Sequence, residues 1–251
     1  MLTPMIKKVS CIIPAFNEEK TIAGVIKTCL ETPEIDEVIV VSDGSEDKTV
    51  AEVKKIKGKI KIIDLKQNHG KGYAVVQGIK EAKNELLLFM DADFVNLQPY
   101  HLSSIINPVL SDQVDMAIGP NFALEKPFLQ RTLLTTPFCG QRCLKKKDVL
   151  PVLKKMEKSK YGLEVFLNNL FKKKRVIVTP IISNKELHLL KHKKQNNWLP
   201  KYIQEVWEIV QLTAKNKSKE YRKKIKKELS RELSSYFQVS IKKIKEYLNE
   251  D

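Results

Sequence analysis

The run Leu86-Leu87-Leu88-Phe89-Met90, followed at once by Asp91-Ala92-Asp93, decides the fold. Five apolar residues in a row have the length of a strand and suit one covered on both faces, as in a parallel sheet. Two carboxylates one residue apart at its carboxyl end project to the same side if the chain is still extended there. Such a pair suits a hard divalent cation, Mg²⁺ or Mn²⁺, that keeps positions open for phosphate oxygens. A polar turn whose aspartates cap the following segment would look the same.

Upstream the pattern repeats. Val9–Ile13, Val38–Val41 and Ile60–Leu65 read as strands. Between them Glu18–Leu30, Asp47–Ile56 and Gly72–Lys83 read as helices, the first with Ile22, Val25, Ile26, Cys29 and Leu30 on the 3.6-residue period. This alternation predicts a doubly wound parallel sheet with helices on both faces. Ligands in that architecture sit outside the carboxyl ends of the strands. Downstream, Pro99–Leu110 predicts a helix, Val114–Ile118 a fifth strand, Leu124–Phe138 a helix with a loop, Tyr161–Leu170 a helix and Val176–Ile182 a late strand.

Three more loops therefore fall at the edge that carries Asp91 and Asp93. In Pro14-Ala15-Phe16-Asn17-Glu18-Glu19, Pro14 is expected to end the strand and Asn17 to cap the helix. In Ser42-Asp43-Gly44-Ser45-Glu46-Asp47, Gly44 permits a tight turn, Ser45 or Asp47 can cap, and Asp43 can accept hydrogen bonds from a base or ribose. In Asn68-His69-Gly70-Lys71-Gly72, a helix N-terminus and a lysine suit an anion, although the spacing and hydroxyl of a P-loop are missing. Each loop alone reads equally well as a turn or a capped helix. Their meeting at one edge of one sheet points to a ligand site.

Composition bounds the classes. With 42% hydrophobic and 30% charged residues over 251 positions, the chain has enough apolar content to fold. No run approaches the roughly 18–20 apolar residues of a spanning helix, and residues 1–8 lack the apolar core of a secretory leader. The four cysteines, Cys11, Cys29, Cys139 and Cys143, are too few and too uneven for a disulfide framework, and a reduced, cytoplasmic setting fits best. Cys139 and Cys143 lack the second Cys/His pair of a zinc set.

The formal charge is +15, from 45 Lys+Arg against 30 Asp+Glu, which suggests a polyanionic partner. Residues 185–251 hold 17 Lys+Arg and 9 Asp+Glu, so +8 of the charge reads as a property of the tail. There Tyr221, Ile225, Leu229, Leu233, Phe237, Ile241, Ile244 and Leu248 recur every three or four residues around Arg222-Lys223-Lys224 and Lys226-Lys227. A second stripe, Leu199 to Val210, includes Trp207. The pattern predicts basic amphipathic helices. They either pack with a solvated basic face or lie peripherally on an anionic membrane. Nucleic acid is disfavoured, because no recognition motif or aromatic platform is present.

The four loops, in this order and spacing, resemble the nucleotide-sugar-binding half of family-2 glycosyltransferases of GT-A fold. Gly140-Gln141-Arg142 and Tyr161-Gly162-Leu163-Glu164 resemble the acceptor half of members acting on polyprenyl phosphates, the dolichyl-phosphate mannosyltransferase-like enzymes, or on small phosphorylated acceptors, the glucosyl-3-phosphoglycerate synthase-like enzymes. The resemblance implies a Rossmann-like, mostly parallel sheet in a catalytic domain over residues 1–186. Residues 1–120 would form its donor half and 121–186 its acceptor half, with a helical extension over 187–251.

It also implies roles. Pro14, Ala15, Phe16 and Glu18 would frame the nucleoside of a UDP- or GDP-linked sugar, Asp43 would bond its base, and Gly70 and Lys71 would lie near the nucleotide. Asp91 would face ribose or metal, Asp93 would hold Mg²⁺ or Mn²⁺, and His188 would complete the metal shell. Many members carry two adjacent aspartates where this chain has Ser42-Asp43. Glu164 is the carboxylate that matches a family motif in the acceptor half. Gly140, Gln141, Arg142 and Arg131 are candidates for the acceptor, since a guanidinium binds phosphate bidentately. A phosphate monoester, with a second pKa of ~6, arrives largely ionised and needs no base. The alternatives are a glycosyltransferase for a soluble phosphometabolite such as 3-phosphoglycerate, a nucleotidyltransferase and a nucleic-acid-binding protein. A nucleotidyltransferase would usually open with a glycine-rich loop where this chain has Pro14–Glu18.

Overall fold

Strand formation follows the apolar runs closely. In the computed structural model, which describes residues 8–122, 139–159, 162–179 and 181–182, β1 spans Val9–Ala15, β2 Ile35–Asp43, β3 Ile60–Leu65 and β4 Leu86–Phe89. The helices between them are α1 (Ile22–Glu31), α2 (Thr49–Lys54) and α3 (Lys71–Glu81). Then follow α4 (Pro99–Leu110), β5 (Met116–Ile118), β6 (Asn121–Phe122), β7 (Arg142–Lys145), α5 (Lys146–Val149), α6 (Leu153–Glu157), α7 (Leu163–Leu170), β8 (Val176–Val178) and β9 (Ile181–Ile182). The chain divides into two compact units, residues 1–188 and 189–251, and every described residue lies in the first. The expected helix over 124–138 and the basic tail lie outside the described residues.

Seven strands form one sheet in the order β3-β2-β1-β4-β7-β5-β8, and β6 and β9 pair separately. β1, β2, β3 and β4 run parallel, so all four loops leave from the same edge, as the sequence predicts. Successive residues of β1 are buried on both faces and enter the two layers alternately, with the period of two that strands impose. Cys11 and Ile13 face α1 and α4 on one side, while Ile12 faces α3 and α7 on the other. Each fully buried Ile or Leu in these layers stabilises the fold by roughly 1.5–3 kcal/mol. Cys11 and Cys29 meet in the first layer with sulfurs 3.6 Å apart, and the structure contains them as free thiols.

Three expectations are corrected, and one strand is new. Pro14 does not end its strand, since it pairs with Val41 inside β1. Past Ile12, β4 no longer flanks β1, so Pro14 sits on an edge that tolerates a missing donor. Asn17 is not a helix cap: α1 starts at Ile22 with Thr21 before it. The late strand is two strands, β8 and β9, in different sheets. β7 was not anticipated at all. It runs antiparallel between β4 and β5, pairing Leu88 with Cys143 and Ala117 with Cys143 from its two sides.

The reversed direction of β7 places its first residue, Arg142, beside Phe89 and Ile118, at the edge where the parallel strands end. Gly140 and Gln141 therefore reach that edge as well. At the opposite edge, Lys146 donates to the Ala82 carbonyl and α5 begins. Arg175 there binds Asp115 in bidentate fashion and holds that carboxyl down at about 2. The charge of the first unit is uneven. Residues 139–182 carry 12 Lys+Arg against 3 Asp+Glu, whereas residues 1–138 carry 16 against 18. The basic surplus thus begins well before the tail.

Candidate active site

The four loops are stitched to one another. Asp43, at the end of β2 and nearly fully buried, accepts hydrogen bonds from the amides of His69 (2.9 Å) and Gly70 (2.8 Å), tying the second loop to the third. Gly44, with φ +73°, lets the two backbones come so close that a Cβ would stand 2.6 Å from the Asn68 nitrogen. Carboxylate oxygens have lone pairs to spare, so Asp43 can serve the loop and still accept from a ligand.

Lys71 opens α3 and crosses to both halves of the chain. Its ammonium lies 2.7 Å from Asp91 Oδ1 and 2.6 Å from Glu164 Oε1. Burial by itself would lower its pKa, but the two carboxylates outweigh that and hold it well above the ordinary lysine range. The second Asp91 oxygen accepts from Gln141 Nε2 at 2.8 Å. Asp91 is thus held on both oxygens, by Lys71 of the third loop and by Gln141 of the segment entering β7.

Asp91-Ala92-Asp93 leaves the extended conformation, with Ala92 and Asp93 in a turn and Asp93 partly buried. The condition for same-side projection is therefore not met by strand geometry, and any shared ligand would be approached from a turn. Arg142 is completely buried. Its Nε donates to the Cys139 carbonyl at 3.0 Å and its NH1 to Asn168 Oδ1 at 2.7 Å. Burial pulls the guanidinium below its usual pKa, opposed by Cys139, Glu164 and Asp91. A cleft of about 220 Å³, including space open to solvent, is lined by Pro14, Lys71, Asp91, Gly140, Arg142 and Glu164 among others.

A family model described as glycosyl transferase family 2 matches residues 10–176, which include every loop above. The chain belongs to glycosyl transferase family 2. It is 40% identical over 100 residues to a dolichyl-phosphate beta-glucosyltransferase of Drosophila melanogaster, covering 34% of this chain and 31% of that protein. It is 28% identical over 146 residues to a glucosyl-3-phosphoglycerate synthase of Mycobacterium tuberculosis (strain CDC 1551 / Oshkosh), covering 55% and 42%. The chain spans about a third to just over half the length of its curated relatives. Among solved structures, the M. tuberculosis glucosyl-3-phosphoglycerate synthase with Mn²⁺, UDP-glucose and phosphoglyceric acid superimposes with a TM-score of 0.61. The identity is 18%, over 83% of this chain and 79% of that one. That likeness establishes the GT-A fold.

Of the family-implied residues, Pro14, Lys71, Asp91, Gly140, Gln141, Arg142 and Glu164 come together around the cleft or in direct contact with its residues. Ala15 is buried and Phe16 is exposed. Glu18 accepts from the Thr21 hydroxyl. Arg131 and His188 lie outside the described residues. Sequence reasoning missed Asn168. It stands four residues after Glu164 on α7, and that spacing puts both on one helix face. No described group of three His, Cys, Asp or Glu residues is arranged to hold a metal. Asp91 nonetheless presents hard oxygens to a cation, here the Lys71 ammonium, and Asp93, partly buried, follows two residues on in the turn. This donor chemistry fits Mg²⁺ or Mn²⁺ with the remaining positions left to phosphate and water.

Proposed function

We propose that the protein transfers a sugar from a nucleotide-sugar donor, UDP- or GDP-linked, to a phosphorylated acceptor. The observation that carries this reading is the convergence of Lys71, Asp91, Gln141, Arg142 and Glu164 at the sheet edge of a family-2 chain. Pro14, Ala15, Phe16 and Glu18 frame the nucleoside, and Asp43 meets its base. Asp91 and Asp93, read as a DxD motif, would hold Mg²⁺ or Mn²⁺, with His188 as a further ligand. The ion would supply Lewis-acid stabilisation of the leaving diphosphate. Lys71 adds positive charge on the same side, and Arg131 binds the acceptor phosphate, while the buried Arg142, bonded to the Cys139 carbonyl and Asn168, lends its charge from the wall of the cleft.

Glu164 is committed to Lys71, which disfavours it as a free base and favours an acceptor that arrives ionised. A polyprenyl phosphate fits that requirement. The basic, apolar-striped sequence of 187–251 would bring the enzyme to the cytoplasmic face of a membrane as a peripheral protein. No described helix is long and apolar enough to cross one. The second reading is a soluble acceptor such as 3-phosphoglycerate, favoured by the likeness in fold to the synthase with phosphoglyceric acid bound.

The test is a thermal-shift panel of UDP-, GDP- and dTDP-sugars with and without Mn²⁺, followed by transfer assays with polyprenyl phosphate and 3-phosphoglycerate. Binding raises the melting temperature by mass action. Asp93→Ala is expected to keep the fold and lose both metal-dependent stabilisation and transfer. A fully active Asp93→Ala protein would remove the metal role.

A further inference from the structure

The first and second loops are joined by hydrogen bonds running in both directions. Asn17 N donates to Ser45 Oγ at 3.1 Å, and Glu46 N donates to Asn17 Oδ1 at 2.8 Å. Glu18 N donates to Thr49 Oγ1 at 2.7 Å, Glu19 N to Asp47 Oδ2 at 3.1 Å, and Lys48 N to Glu19 Oε2 at 3.1 Å. Glu19 joins the two segments through both its backbone and its side chain, and so does Asn17, which directly follows Phe16. Asn17 has φ 57°, a left-handed conformation that asparagine tolerates and most residues do not.

The position of this clasp matters because β4 has left β1 by then, so no sheet ladder supports the first loop on that side. We propose that Asn17 is a positioning residue for the nucleotide. Its left-handed backbone and carboxamide fix the first loop to the second, so that Pro14–Phe16 and Asp43 form one preshaped nucleoside site. The inference rests on the nucleotide-sugar reading above and adds a residue to it. Without the clasp, each binding event would have to order the two loops, and that cost would appear in affinity and not in the chemical step.

The test uses the full chain with UDP and UDP-glucose in the presence of Mn²⁺. Asn17→Ala removes the acceptor and strains the backbone. Asn17→Gly removes the acceptor but keeps the left-handed conformation, so it stays informative if the alanine variant folds poorly. Asn17→Asp keeps an acceptor oxygen and tolerates the conformation. Loss of one well-made hydrogen bond corresponds to about a tenfold weaker affinity. The expectation is a UDP Kd and donor KM raised about tenfold in Asn17→Gly, with kcat at saturating donor within about twofold and the Glu46 amide losing its exchange protection. Asn17→Asp should stay within about threefold of wild type. A folded Asn17→Gly protein that binds UDP as wild type does would overturn the role of Asn17 while leaving the proposed function intact. If wild type binds no nucleoside diphosphate, the proposed function and this inference fall together.

Discussion

No side chain separates the α-carbon of Gly140 from the Asp91 carboxylate: a Cβ at residue 140 would stand 2.2 Å from Asp91 Oδ1 and 2.5 Å from Lys71 Nζ. Real Cβ atoms do not approach that closely, so Gly140→Ala must push Asp91, Lys71 or both away from the positions they share. Displacements of about 1 Å in a reacting site cost about a hundredfold in rate. Gly140→Ala is expected to lose transfer activity by about that factor while its urea midpoint moves little. Wild-type turnover in the alanine variant would show that the Asp91 geometry does not set the rate.

Lys71 holds two carboxylates with one ammonium, and its removal leaves both without their cation. Breaking a buried pair costs about 3–5 kcal/mol. Lys71 and Asp91 are each about a quarter exposed, so Lys71→Met is expected to cost about 2–3 kcal/mol, at or below the lower limit of that range, because solvent screens the pair. Glu164→Gln in the same chain should restore part of the loss, because one of the uncompensated charges is then gone. Urea denaturation of the single and double variants measures this directly, and additive losses would contradict the shared pair.

The buried thiols set a pH limit. Burial pushes Cys139 and Cys143 up to about 12 and raises Cys11 well above its usual value. The native protein therefore keeps protons that the unfolded chain releases above about pH 8.5. The resulting stability is complete below that pH and falls as pH rises from about 9 toward 12. At pH 8, iodoacetamide should label these cysteines in the native protein far more slowly than in urea. Rapid native labelling of Cys143, which is fully buried, would contradict the placement of β7.

Much of this was readable in advance because parallel strands buried on both faces are near-continuous apolar runs, as Leu86–Met90 and Val38–Val41 are. The same logic hid β7. Its sequence, Arg142-Cys143-Leu144-Lys145, has two apolar residues flanked by charges. Arg142 is tolerated in the interior because the Cys139 carbonyl and Asn168 receive its hydrogen bonds. Asn17 resembled a cap because caps and loop clasps use the same carboxamide oxygen, and local pattern does not separate them. The link from Lys71 to Glu164 spans 93 positions, and no local periodicity encodes such a pair. Charge counting also misled. Dividing the chain at residue 184 averaged an acidic stretch over 1–138 with the strongly basic stretch over 139–182 and made the tail look like the main source.

β5 lies within the first 120 residues, yet its neighbours in the sheet are β7 and β8, both contributed by the later part of the chain. Cutting the protein near residue 120, between its proposed donor and acceptor halves, would therefore sever a single sheet and strip β4 of its outer neighbour. The two proposed halves are interwoven in one sheet and not modular. An exchange of acceptor halves between relatives would have to carry β7 and β8 across and graft them onto a foreign β4 and β5. On the proposed assignment of the acceptor site, change in acceptor preference is thus steered toward single substitutions at the entrance of β7, where Gly140, Gln141 and Arg142 stand.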